Sequence, residues 1–125
     1  MQAVAAQRHA RGKLAYHAGQ AAEQQVAQVY LRRGFAVVAQ RWRGRAGEID
    51  LILRDDSGLL FVEVKQARDF DRAAHSLSQR QIARLYGAAE EFLAGEPTGA
   101  LTELRFDVAL VNGQGQMQII ENAFA

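Results

Sequence analysis

Two neighbouring runs, Gly47-Glu48-Ile49-Asp50-Leu51-Ile52-Leu53 and Leu60-Phe61-Val62-Glu63-Val64-Lys65, alternate apolar and polar residues with a period of two. That period belongs to β-strands with one buried face. Between them, Arg54-Asp55-Asp56-Ser57-Gly58 is built from residue types that turn a chain. The pair therefore predicts a β-hairpin. A two- or four-residue loop sets a register in which partner numbers sum to 113. Asp50 then faces Glu63, and Glu48 faces Lys65, with opposed Cβ atoms about 4.5–5.5 Å apart. Ile49, Leu51, Leu53, Leu60, Val62 and Val64 fall on the other, core face.

Two bare carboxylates at that separation repel, and each raises the other's pKa. A proton or a cation between them relieves the repulsion. A divalent metal on two carboxylates, with a lysine one step along the same face, makes a site that can hydrolyse phosphodiesters. The plainer reading is a solvated strand face with one Glu48–Lys65 ion pair. Leu59 and Phe61 share the face of Glu63 and Lys65, and Ile52 that of Asp50, so this face is partly covered. Partial cover favours a site.

At 125 residues the chain is one domain, able to bury about two-thirds of its unfolded surface. No stretch reaches the roughly 18 apolar residues of a membrane span. The N-terminus lacks the apolar core of a secretory signal, so a cytoplasmic protein is expected. With no cysteine there are no disulfides, thiolate zinc sites or cysteine nucleophiles. His9, His17 and His75 are scattered, so a metal would be held by oxygen, which favours Mg2+ or Mn2+. Net charge is +1, but residues 1–45 carry +7 and residues 86–125 carry −5. Such asymmetry suits a basic face aimed at a polyanion, unless the two ends neutralise each other in the fold.

Residues 1–13 show no sustained pattern and are expected to form a flexible basic arm, leaving 14–125 as a single domain. A helix is predicted from around Ala15–Ala18 to Arg33, stopped by Gly34. Phe35–Gln40 reads as a short strand, Arg41–Ala46 as a basic loop, and residues 66–76 as irregular. A second helix runs from about Ser78 to Ala94, with Ser78 and Gln81 as a capping box. Its buried stripe is Ile82, Leu85, Ala89, Phe92 and Leu93. Leu104–Val111 and Gln116–Glu121 are the last strands. The order α-β-β-β-α-β-β describes an α/β fold, a mixed β-sheet flanked by helices.

The first helix carries an anomaly. At about 100° per residue, Glu23 falls inside the apolar arc of Ala18, Ala22, Val26, Ala27, Val29 and Tyr30. A lone carboxylate on a buried stripe is costly unless paired. It is either bridged to a nearby arginine or a third acid for the metal site.

Glu23 on a helix, Asp50 on a strand and Glu63-Val64-Lys65 on the next resemble the PD-(D/E)XK nuclease superfamily. Gly47–Ile52, Phe61–Lys65, Arg105-Phe106-Asp107-Val108 and Asn122-Ala123-Phe124 resemble the YraN-type family of small bacterial proteins. Ala22-Glu23 and Tyr30–Phe35 fit its opening helix and first strand. The resemblance implies a restriction-endonuclease-like core, akin to Holliday-junction resolvases and the tRNA-endonuclease-like domain. Within it, Gln66-Ala67-Arg68 sets the arginine one position later than usual.

The expected activity is metal-dependent phosphodiester hydrolysis on structured or branched DNA, with DNA ahead of RNA as partner. Catalysis would fall to Glu23, Asp50, Glu63 and Lys65. Asp50, Glu63, the Val64 carbonyl and Glu23, directly or through water, would hold Mg2+ or Mn2+. Arg41, Arg43, Arg45 and Arg68 would grip phosphates. Trp42 would stack on an unpaired base, although a tryptophan there is more often core. The alternative is a nucleic-acid-binding module of the same fold that does not cut. A homodimer is compatible with either, and no membrane is expected.

Overall fold

The computed structural model describes residues 19–124. The expected arm over 1–13 and the start of the first helix lie outside the described residues. Helix α1 covers residues 19–32 and buries Ala22, Val26, Ala27 and Tyr30, the stripe its periodicity predicts. It ends at Gly34, where the Phe35 N–H closes on the Tyr30 carbonyl at 3.1 Å.

Strands β1 (Ala36–Arg43), β2 (Glu48–Asp55), β3 (Gly58–Gln66), β4 (Leu104–Val111) and β5 (Met117–Ile120) form one sheet in the order β1-β2-β3-β4-β5. All neighbours are antiparallel except β3 and β4, which run parallel. A parallel pair needs a crossover. Here it carries helices α2 (Phe70–His75) and α3 (Gln79–Leu93), followed by a 3-10 turn at Gly99–Leu101.

Three layers result. Against α1 lie Leu51, Leu53, Leu60, Val62, Ala109 and Val111. Leu85, Ala88, Ala89 and Leu93 of α3 pack on Ile49, Ile52, Leu59, Phe61 and Phe106 on the other face. Ala73 of α2 meets Val108 and Leu110 there too. Leu51 and Leu53 are fully buried, and truncating either to alanine should cost about 2–5 kcal/mol. Among the described residues no helix is long and apolar enough to cross a membrane.

The hairpin adopts the expected register, from Asp55 opposite Gly58 to Leu51 opposite Val62. Gly58 has φ +137°, and a Cβ there would fall 2.4 Å from the Glu103 carbonyl oxygen, so only glycine fits the turn. The Ser78–Gln81 capping box is present.

Three local readings need correction. Residues 66–76 are not wholly irregular, because Asp69 accepts the Arg72 N–H and caps α2, whose six residues are too few to show a period. Arg41–Arg43 are not loop but the end of β1, with Trp42 opposite Ile49 and Arg43 opposite Glu48. Ile49 packs on the α3 side rather than with Leu51. The last two share a cause. The β1–β2 register shifts between Val37 and Ala39 and is unchanged from Ala39–Ile52 to Arg43–Glu48, but Arg41 and Asp50 form no ladder pair, and Arg41 sits at φ +49°, an uncommon conformation for arginine. Beyond that break the alternation of faces restarts, carrying Trp42 and Ile49 to the α3 side together.

Candidate functional site

The break in the sheet builds the site. A ladder continued beyond Leu51–Val62 would offer the Val64 N–H to the backbone of Ile49. Instead Asp50 Oδ2 accepts that N–H at 2.8 Å. Strands β2 and β3 part here, and the Asp50 carboxylate fills the gap between them. The Val64 carbonyl leaves β3 on the same edge as its N–H, because both groups of one strand residue point the same way.

Glu63 and Lys65 follow on β3, with side chains only 14% and 17% exposed. Lys65 Nζ lies 3.6 Å from Glu63 Oε1. Burial, then the charge and hydrogen bonding of Asp50, push the Glu63 carboxyl up to about 9, against the opposing pull of Lys65. A 3.6 Å ion pair and a protonated acid are at odds. Desolvation and the second carboxylate outweigh one ammonium and hold the Glu63 carboxyl well above the ordinary carboxylate range.

Glu23 reaches the same region from α1. Its two oxygens accept from Arg41 Nε at 2.9 Å and Nη2 at 3.3 Å, a two-pronged pair with the glutamate side chain 16% exposed. Burial raises its pKa, Arg41 lowers it, and the charges of Asp50 and Glu48 raise it further. The influence of those acids puts Glu23 beside the site, while Arg41 holds its oxygens. Glu48 pairs with Arg43 Nη2 at 3.4 Å across β1 and β2, and Lys65 pairs with Glu63 instead.

The structure thus gathers Asp50, Glu63, Val64 and Lys65, with Glu23 alongside. Trp42 packs edge-on against Phe92, ring centroids 5.4 Å apart, at the margin of the α3-side core. Arg43, Arg45 and Arg68 are exposed. Among the described residues Arg41 is the cation paired with Glu23. Its role was hidden in the sequence, where it is one of three arginines in a basic run.

The donor set suits a hard divalent cation. Two carboxylates and a carbonyl are oxygen ligands of the kind Mg2+ and Mn2+ take, and the proton trapped at Glu63 marks negative charge that a cation would relieve. Among the described residues no three Asp, Glu, His or Cys side chains converge tightly enough to form a metal cage by themselves. The protein would contribute Asp50, Glu63 and the Val64 carbonyl, leaving the other positions to water.

Residues 22–111 match the model of the uncharacterised protein family UPF0102. The chain belongs to this family. It is the family of the YraN-type resemblance. A UPF0102 protein of Ruegeria pomeroyi is 60% identical over 114 residues, covering 91% of this chain and 93% of that protein. One from Cereibacter sphaeroides is 58% identical over 114 residues, 91% and 97% of the two chains. Another, from Dinoroseobacter shibae, is 45% identical over 119 residues, 95% and 89%. The UPF0102 match runs from α1 to the end of β4 and takes in Glu23, Asp50, Glu63, Val64 and Lys65.

Proposed function

We propose that this UPF0102 protein is a divalent-metal-dependent nuclease of the PD-(D/E)XK type that hydrolyses phosphodiesters in structured or branched DNA. One observation carries the reading: Asp50 and Glu63 are apposed at a break in the sheet, with Lys65 beside them, in a place that burial makes costly for uncompensated charge. Ordinary folding stability gives no reason for that arrangement.

A bound Mg2+ or Mn2+ would supply Lewis acidity at a phosphate oxygen and a water of lowered pKa. Asp50 is oriented for loading by the Val64 N–H. Glu63 would hold the cation as a carboxylate, its proton passing to solvent water. Lys65 Nζ, released from Glu63, turns to the negative charge that builds on the phosphate in the transition state. Glu23, oriented by Arg41, would hold a water at the site. Arg43, Arg45 and Arg68 grip phosphates on either side of the scissile bond.

The test is cleavage of four-way junctions, flaps and single strands in Mg2+. Lys65→Ala should lower the rate by about 10²–10³-fold. Activity that survives Lys65→Ala, Asp50→Asn and Glu63→Gln would belong to another site or a contaminant.

The hold of Arg41 on both Glu23 oxygens favours a second reading, a DNA-binding module that does not cut. Salt-sensitive DNA affinity with no cleavage in either Mg2+ or Mn2+ would select it.

A further inference from the structure

Beside Glu63, on the α3 side, lies a cavity of about 180 Å3 lined by Gly47, Glu48, Glu63, Gln81, Arg84 and Leu85. Three of these residues, Glu48, Gln81 and Arg84, have no part in the chemistry above. We propose that this cavity receives one unpaired nucleobase adjoining the scissile phosphate, and that guanine fits it best. The inference rests on the nuclease reading, since it sets the phosphate at Asp50 and Glu63.

The walls are held in place. Gln81 Oε1 accepts the Ser78 N–H at 3.2 Å in the capping box, which leaves its amide nitrogen as the remaining donor. The loop between β1 and β2 lies flat on α3. A Cβ on Gly47 would come within 3.2 Å of Arg84 Cβ and 3.3 Å of the Arg84 carbonyl oxygen. Glu91 fastens the same loop by accepting the Arg45 and Ala46 N–H groups, each at 2.7 Å. Loop and helix are therefore in direct contact.

Size and polarity narrow the ligand. At roughly 30 Å3 per water, the cavity has room for about six waters, which suits one ring system and is small for a whole nucleotide. Leu85 is buried and gives the ring an apolar contact. Glu48 only accepts hydrogen bonds, while Arg84 and the Gln81 amide nitrogen donate. A bare phosphate would meet two carboxyl groups, and a bare cation would meet a guanidinium. A neutral ring with donors on one edge and acceptors on the next satisfies both kinds of wall. Guanine presents N1–H and N2–H2 to a carboxylate and O6 with N7 to an arginine. No other DNA base offers two adjacent donors beside an acceptor. An unstacked base of this kind occurs at branches, flaps and single strands, and not within an intact duplex.

The full-length protein would be titrated, with Ca2+ replacing Mg2+, against fluorescent thymine oligonucleotides with and without a single guanine. The expected result is about tenfold tighter binding for the guanine-containing strand. Glu48→Gln and Arg84→Ala, both changes of surface side chains, should each bring that ratio close to one. Equal affinity for the strands with and without guanine overturns the proposal. So does a guanine preference that persists in both variants. Cleavage dependent on Lys65 without base preference removes the pocket and leaves the nuclease reading standing. No affinity for any oligonucleotide removes both.

Discussion

A buried acid and a partly buried one on neighbouring strands meet opposite fates. Asp107 on β4 is fully buried, yet its oxygens accept from Tyr30 at 2.8 Å, from Arg105 at 3.1 and 3.2 Å, and from the Asn122 N–H at 3.0 Å. Its charge is matched by a guanidinium and its lone pairs are filled. Glu63 on β3 faces a second carboxylate and one lysine 3.6 Å away, and its carboxyl is pushed up to about 9. Asp107 ties α1, β4 and the C-terminal turn together. Glu63 is left wanting a cation. An acid matched by a guanidinium is at rest in the fold, whereas two acids set together carry charge that a cation would relieve.

The contrast is most easily broken by mutation. Asp107→Ala would leave Tyr30 and Arg105 without their buried partner and should cost roughly 3 kcal/mol or more, measured by urea denaturation. Asp50→Ala, by comparison, removes a repulsion as well as a hydrogen bond and should cost far less in metal-free protein. If the two losses are equal, the distinction between a structural and a functional acid fails.

The pH dependence comes next. Folding raises the Glu63 pKa above its ordinary value of 4.5 to about 9. The folded state therefore holds the proton more tightly than the unfolded chain does. The stability this contributes is complete below pH 4.5 and is lost as pH rises through 9. In metal-free protein Glu63→Gln should flatten that decline, as read from thermal melts. Divalent binding must expel the proton, so Mn2+ affinity should climb about tenfold per pH unit while pH is below 9 and level off as it passes 9. Calorimetry in buffers of different ionisation enthalpy should record about one proton released. Affinity independent of pH would mean that Glu63 is not a ligand.

Tyr30→Phe sharpens the comparison at smaller scale. It deletes one of the donors to Asp107 while keeping the ring, and should cost about 1–2 kcal/mol. Mn2+ affinity should stay unchanged, because Tyr30 serves the other acid.

Much of the scaffold was legible in the sequence because it obeys local rules. Alternation with period two and a turn ending in Gly58 specify the hairpin register, which holds from Asp55 to Leu51. Helical periodicity marks Ala22, Val26 and Tyr30 as buried, and the Ser78 cap marks where α3 starts. Short or interrupted segments escaped the rules. Helix α2 has too few residues for a period, and β1 runs on through a stretch whose charges resemble a loop. Ile49 changes face because alternation restarts at Arg41 and Asp50, an event invisible to a pattern count.

The site divides in the same way. The register set by the turn points Asp50 toward Glu63 and Lys65, but the ladder ends at Leu51–Val62, and only the structure shows Asp50 turning into the gap to accept the Val64 N–H. The Arg41–Glu23 pair and the Tyr30–Asp107 bond, the latter between residues 77 positions apart, needed the packing of α1 on the sheet. Long-range partners of a buried charge are chosen by where the core brings surfaces together. A linear pattern can say that such a charge must be answered, and only the assembled layers say by what.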